Sequence, residues 1–190
     1  IFRNGIKSIT MDDMAAQLGI SKKTIYQYYE DKNAVINAIA KHEIDMQIKE
    51  MDDTRKSAIN SIDEIFKTMS CLSRTFIKIN PNVFYDMQKF HPSSWKLFHD
   101  FKEKKIMSFV EENLKNGIKQ ELYRADLNIK IMAKFRVEEV AMAFRPEIFP
   151  PEKYNIKDLQ MILLDHFVHR ISTLKGHKLI NKYKHIKEED

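Results

Sequence analysis

The chain has one cysteine in 190 residues. That excludes an internal disulfide and any multi-cysteine metal site, and it suits a reducing, cytoplasmic setting. Turn formers are scarce as well. Four glycines and five prolines, against abundant Lys, Glu, Ile, Leu, Met and Ala, leave little to interrupt helices. No apolar run is long enough to span a membrane, and the start carries no signal-peptide pattern, so no membrane partner is expected. There is no strand signal, no internal repeat and no low-complexity segment. Nothing resembles a catalytic triad, a phosphate loop or a metal cluster, so neither catalysis nor a cofactor is expected. What remains is 43% hydrophobic, enough for one or two compact helical domains. A formal charge of +5 permits an anionic partner without demanding one.

The local signals are densest between Ser8 and Lys32. Thr10 can cap a helix, with Asp13 in the place of a capping-box acid. Met11, Met14, Ala15 and Leu18 form one apolar face, and Gly19 ends that helix. Ser21 caps a second, short helix, in which Ile25 and Tyr29 are spaced to face inward. Asp31 caps a third, expected to run to about Met51. Ahead of them, Ile1 to Gly5 reads as the last turn of a helix that would begin upstream, closed by a C′ glycine.

Two short helices joined by a tight turn, the second bearing Lys and Tyr, have the layout of a helix-turn-helix that reads DNA. The major groove admits one helix, whose outer side chains must supply donors, acceptors and apolar surface to base edges. Lys22, Lys23, Thr24, Tyr26 and Gln27 supply these. Thr10, Tyr28 and Lys32 suit phosphate contacts, which position without specifying. Ser21, at the start of the second helix, completes the DNA-facing set. One short recognition helix gives limited specificity, so the chain is expected to dimerise on a palindromic operator.

Helical patterns fill the remainder. Ile59, Ile62, Phe66, Met69, Ser73 and Phe76 make a stripe ended by Asn80-Pro81. Phe84, Met87 and Phe90 follow in a short helix, and His91-Pro92-Ser93-Ser94 breaks the chain. A long helix is expected from about Trp95 to Asn116, closed by Gly117. Another spans Leu127 to Arg145. The segment from Asp158 to Lys175 is apolar on more than one side and is closed by Gly176, leaving a solvated, frayed tail from His177. The two-sided apolar character marks a dimer interface of four helices, with Phe135, Val140, Phe144, Leu163, Phe167 and Leu174 as its candidates. Cys71 lies near Lys67 and Arg74 on a helix face and reads as a plain thiol rather than a redox sensor. His166 and His169 are three apart; surface or interface roles fit them better than a metal.

The stretch from Thr10 to Lys32 resembles the DNA-binding domain of TetR-type (TetR/AcrR) transcriptional regulators. The resemblance rests on Ala15, Gly19, Ser21, Thr24, Tyr26 and Lys32, and covers roughly the first quarter of the chain. Lys23 departs from the small residue of many relatives, and Tyr29 from the usual Phe. The family's first helix is represented only by its last turn. The resemblance implies an all-α fold: a helix-turn-helix domain over residues 1–50, then a helical bundle over 51–190 for effector binding and dimerisation. It also implies an effector pocket between Ile59 and Val110. Aromatics and methionines concentrate there: Phe66, Met69, Phe76, Phe84, Met87, Trp95, Phe98, Phe101 and Phe109, with Ser73 interrupting the stripe. Tyr85, His91 and His99 are nearby polar candidates. The expected function is a repressor that an unidentified small molecule releases from DNA. The rival readings are an all-helical small-molecule-binding protein or enzyme with a vestigial helix-turn-helix, and an architectural DNA binder without sensing.

Overall fold

A computed structural model describes residues 5–76, 80 and 82–185. The fold is all-α. Three short-range caps shape its beginning. Helix α1 (Met11–Leu18) starts in a capping box, Thr10 Oγ1 accepting from Asp13 N while the Asp13 carboxylate accepts from Thr10 N. It stops at Gly19, whose φ of +65° only glycine adopts without strain. Helix α2 (Lys22–Tyr26) is capped by Ser21, and α3 (Lys32–Ser57) by Asp31. Ile9, Met11, Met14, Ala15, Ile25 and Val35 close a small core between the three. Tyr29 is not part of it; it is 36% exposed, because the chain unwinds after Tyr26 and turns its ring outward.

Helix α3 continues to Ser57, a turn and a half beyond the expected end, and so passes through the division expected near residue 50. Arg55 fastens its far end: Nε donates to Glu64 (2.9 Å), Nη2 to the Phe109 carbonyl (2.9 Å), and the guanidinium lies 4.1 Å from the Phe109 ring centroid. The bundle comprises α4 (Ser61–Phe76), α5 (Asn82–Phe90), α6 (Pro92–Phe101), α7 (Met107–Lys119), α8 (Ile129–Met142), α9 (Ile156–Ile171) and α10 (Leu174–Tyr183). Ile59 precedes α4 and is exposed. The stop expected at Asn80-Pro81 lies partly outside the described residues, since Pro81 is not among them.

Three expected boundaries are corrected. The break expected over residues 91–94 is confined to His91, and Pro92 already opens α6, because proline is tolerated where no intrahelical N–H bond is needed. A π-helical turn, Lys102–Ile106, then joins α6 to α7, so the long helix is continuous but locally rewound. Gly117 lies inside α7, and Gly176 inside α10; neither ends a helix. Each is a place where another segment comes close. The Tyr123 ring rests on Gly117, and the Leu122 carbonyl on Gly176. The start of the tail expected from His177 is instead part of a packed helix, α10, with Ile180 fully buried. The main core gathers Ile62, Leu114, Ala133, Leu164, Val168 and Ile171 from α4, α7, α8 and α9. Among the described residues there is no strand, only an isolated bridge between Tyr123 and Ser172, and no helix long and apolar enough to cross a membrane.

Candidate nucleic-acid interface and ligand cavity

On the outer surface of α1 and α2 the polar side chains divide into committed and free. Thr10 Oγ1 donates to Asp13 Oδ2 (2.6 Å), a bond that helps hold the Asp13 carboxyl below its ordinary pKa. The Ser21 and Thr24 hydroxyls are 2.8 Å apart, and Ser21 Oγ also accepts from Thr24 N (3.0 Å). Lys22 donates to Asp12 (2.8 Å), and that hydrogen bond raises its pKa. These four side chains are occupied within the protein. Lys23, Tyr26, Gln27 and Tyr28 are exposed, and their side chains make no hydrogen bond or ion pair among the described residues. Lys32 is half-buried, its ammonium donating to the Lys7 carbonyl (3.2 Å); burial lowers its pKa, and Asp86 opposes that.

Behind this face, α5 and α6 grip the start of α3 and the segment that leads into α1. Ile6, Ile36, Val83 and Met87 form an apolar seam. The buried Asp86 carboxylate, on α5, accepts from the backbone N–H groups of Ile6 (3.2 Å) and Lys7 (3.1 Å). Ser94 donates to Asn37 (3.3 Å), and His91 Nδ1 lies 2.6 Å from Asn33 Oδ1. An amide oxygen accepts that bond only when Nδ1 carries the proton, which neutral imidazole can supply.

Burial lowers the His91 pKa, and Lys32 adds to the effect against the opposing pull of Asp86 and Asp31. The unfolded chain therefore takes up the His91 proton at a higher pH than the folded one. The stability due to neutral His91 is complete well above about pH 6.5, the free histidine value, and is lost as pH falls below it. The melting temperature should accordingly decline from pH 7.5 to 5.5 more steeply in the wild type than in His91→Gln. Parallel curves would remove His91 from the account.

A cavity of about 1130 Å³ lies between α3 to α9. Of the ten residues expected around it, Met69, Phe84, Met87, Trp95, Phe98, Phe101 and Phe109 line it. Phe66 does not: it points to α10 and stacks on Tyr183, ring centroids 5.6 Å apart. Ser73 also faces away, its hydroxyl donating to the Ser70 carbonyl (2.9 Å). The Phe76 side chain lies outside the described residues. Tyr85 lines the cavity, whereas His91 and His99 do not. The sequence reading missed the wall made by Ala40, Ile44 and Met51 on α3, and by Arg136 and Val137 on α8.

Three residues assigned to a dimer face turn inward instead. Val140, Phe144 and Phe167 line the cavity, and Phe167 is 1% exposed. Helix α8 is apolar on several sides, so its pattern does not say which side meets a partner. Leu163 is half-buried. Phe135 and Leu174 are exposed, and Arg170 lies over the Phe135 ring at 5.2 Å. Ile131, Met161 and Ile162, also on α8 and α9, are exposed as well. Cys71 is half-buried, with Arg74 Nη2 3.2 Å from its Sγ. His169 pairs with the Asp165 carbonyl (2.8 Å) and lies against His177. No cluster of metal-ligating side chains occurs among the described residues.

Comparison with known proteins agrees with this geometry. Residues 1–39 match the bacterial regulatory proteins of the tetR family. YvaF of Bacillus subtilis (strain 168), an uncharacterized HTH-type transcriptional regulator, is 24% identical over 141 residues, 74% of this chain and 73% of that protein. A transcriptional regulator from Cytophaga hutchinsonii ATCC 33406 superposes with a TM-score of 0.70 at 21% identity, over 90% of this chain and 92% of its own. The regulator FadR from Bacillus subtilis, solved in complex with stearoyl-CoA, does so with a TM-score of 0.62 at 16% identity, over 90% of this chain and 93% of its own. Residues 1–39 are thus similar to the tetR family's DNA-binding segment, and the fold along nine-tenths of the chain is the one these regulators share.

Proposed function

We propose that the protein is a cytoplasmic repressor that binds a palindromic operator as a homodimer and leaves it when a small molecule fills the cavity. Residues 1–50 act as the reading head and 51–190 as the sensing and dimerising body, with α3 carrying Ala40 and Ile44 of the head into the cavity wall. One observation carries the reading: α5 lines the cavity with Val83, Phe84 and Met87 and, one residue earlier in the same turn as Met87, holds the segment leading into α1 through Asp86. A ligand that moves α5 therefore moves the reading head. It shifts the equilibrium only by its difference in affinity for the two states. Going from 1:99 to 99:1 needs about 5.5 kcal/mol, equal to roughly 220 Å² of apolar surface at about 25 cal/mol per Å². A ligand of the cavity's size buries more than that, so only part of its burial has to differ between states.

In this reading Lys23, Tyr26, Gln27 and Tyr28 meet the DNA, since they are the residues of the expected set left free. Thr10, Ser21, Thr24 and Lys22 hold the helices in place, and Lys32 braces the entry segment. The exposed Phe135 and Leu174, with Ile131 and Ile162 beside them, form the dimer contact. The chain is similar to regulators, and a regulator's role needs no chemistry from it. FadR shows that a chain of this fold can hold a ligand with a long apolar part.

The direct test is protection of the DNA upstream of the gene by the purified protein, at low salt and without ligand. An unprotected promoter region would sink the repressor reading. Within a protected operator the roles separate. Tyr28→Phe should weaken binding to every sequence by about 0.5–1.5 kcal/mol, the worth of one hydrogen bond to a phosphate. Gln27→Ala should cost about 1–3 kcal/mol and relax preference at one base position. If both variants lose the same affinity on all sequences, this division of roles is wrong.

A further inference from the structure

The cavity wall says what kind of molecule it takes. Most of its polar groups are already satisfied. Asn113 donates to the Ser61 carbonyl (2.9 Å) and to Glu64 (3.0 Å), and accepts from the Tyr123 hydroxyl (3.1 Å). Thr68 donates to the Glu64 carbonyl (2.7 Å). Lys102 is paired with Glu138 (2.9 Å), and Arg145 with Glu147 (2.7 Å). None of these offers the cavity an idle donor in a sheltered place.

Arg136 is different. Its side chain is 8% exposed, yet its one hydrogen bond runs from Nη1 to Glu139 (2.7 Å), with the guanidinium 5.4 Å from the Phe167 ring centroid. A guanidinium has five N–H donors. Nε and Nη2 have no hydrogen-bond partner among the described residues, and neither is sealed off by packing. Arg136 belongs to the cavity wall, and its guanidinium lies over Phe167, another residue of that wall.

The charge around them is balanced. Each cation on the wall is matched by a carboxylate: Lys102 by Glu138, Arg136 by Glu139, Arg145 by Glu147. Glu43 adds a further carboxylate to the lining. An anionic ligand would give up its hydration and find no surplus positive charge in return. A neutral acceptor oxygen loses much less on entering, and gains a charge-assisted hydrogen bond to a donor that the protein itself leaves unpaired.

We propose that the cavity binds an uncharged, largely apolar compound carrying one acceptor oxygen, held by Arg136 through Nε and Nη2. Its apolar body lies among Phe84, Phe98, Phe101 and Phe109. This rests on reading the cavity as the sensor site, but its test needs no DNA. Trp95, the one tryptophan of the chain, lines the cavity, so quenching of its emission reports occupancy.

Titration with 2-dodecanone and with dodecanoate compares two heads on one chain length. The ketone should bind at least tenfold more tightly at pH 7.5. Dodecanoate binding as tightly as the ketone, or binding of neither, overturns the proposal. The double variant Arg136→Met/Glu139→Gln removes the donors without stranding a buried carboxylate. Its ketone affinity should fall about tenfold while binding of naphthalene, which has no acceptor, is unchanged. An unchanged ketone affinity, or an equal loss for both probes, also overturns it. If the double variant does not fold, the comparison of heads on the wild type decides alone. Failure of the repressor reading would look different: no promoter protection, with the ketone preference intact.

Discussion

Gly117→Ala is expected to destabilise the fold by about 2–3 kcal/mol, although alanine is the better helix former by about 1 kcal/mol. The substitution adds a methyl group where the Tyr123 ring already lies. A Cβ at this position would stand 2.0 Å from Tyr123 Cδ2 and 2.1 Å from Cε2. The ring cannot yield cheaply. It is 1% exposed, and its hydroxyl donates to Asn113, which in turn binds the Ser61 carbonyl and Glu64. Burial, with Glu64 nearby, pushes the Tyr123 pKa well above its ordinary value, a sign of how little water reaches it. Moving the ring either breaks this chain of bonds or separates α7 from the loop after it, where Leu122 N and Tyr123 N both donate to the Gly117 carbonyl. For a chain of this size the loss corresponds to a fall in Tm of roughly 4–12 °C, measurable by thermal denaturation. An unchanged Tm would mean that Tyr123 does not rest on this backbone.

The same glycine shows where sequence reasoning reaches its limit. Caps are local. Thr10 with Asp13, Gly19, Ser21 and Asp31 act within three or four residues, so the first three helices and their starts are legible from the sequence. A glycine inside a helical pattern is ambiguous. Gly19 is a stop because its φ is positive, whereas Gly117 and Gly176 are contact points for Tyr123 and for the Leu122 carbonyl. The residues that approach them come from elsewhere in the chain and leave no local mark, and so α10 reads as a tail. The cluster of aromatics and methionines was visible as composition, and seven of its members line the cavity. Phe66 was not separable from them, because Tyr183, its partner, is more than a hundred residues away. The apolar residues of α8 and α9 were visible too, but not their directions, since a helix apolar on more than one side leaves its phase open. Arg136 and Asp86 went unnoticed for a related reason. A charged residue in sequence reads as surface, and only the fold shows that both are buried.

Asp86→Ala is expected to have the second large effect, on stability and on DNA binding together. One carboxylate oxygen, Oδ2, accepts from both Ile6 N and Lys7 N. Ile6 is fully buried, so its N–H has no solvent to turn to. Leaving a buried donor unpaired costs about 1–3 kcal/mol, and the more exposed Lys7 N loses a charge-assisted bond of smaller worth. The total is about 2–4 kcal/mol. Lys32 loses at the same time the nearby negative charge that offsets its burial. These losses fall on the segment entering α1, the element against which α2 packs. If half of the loss appears as disorder of the reading head, operator affinity drops about five- to twenty-five-fold, at 1.4 kcal/mol per decade. Asp86→Asn discriminates between shape and charge. Its amide oxygen can take the place of Oδ2 and keep both bonds, but without the charge, so it should show an intermediate loss in both assays. The decisive measurement is operator affinity with and without a cavity ligand. If α5 transmits occupancy through this carboxylate, Asp86→Ala weakens the unliganded complex and shrinks the ligand's effect. A variant that binds DNA tenfold less well yet is released by the ligand in the same proportion as the wild type would show that Asp86 only stabilises the reading head. Coupling would then run through the apolar seam of Ile36, Val83 and Met87.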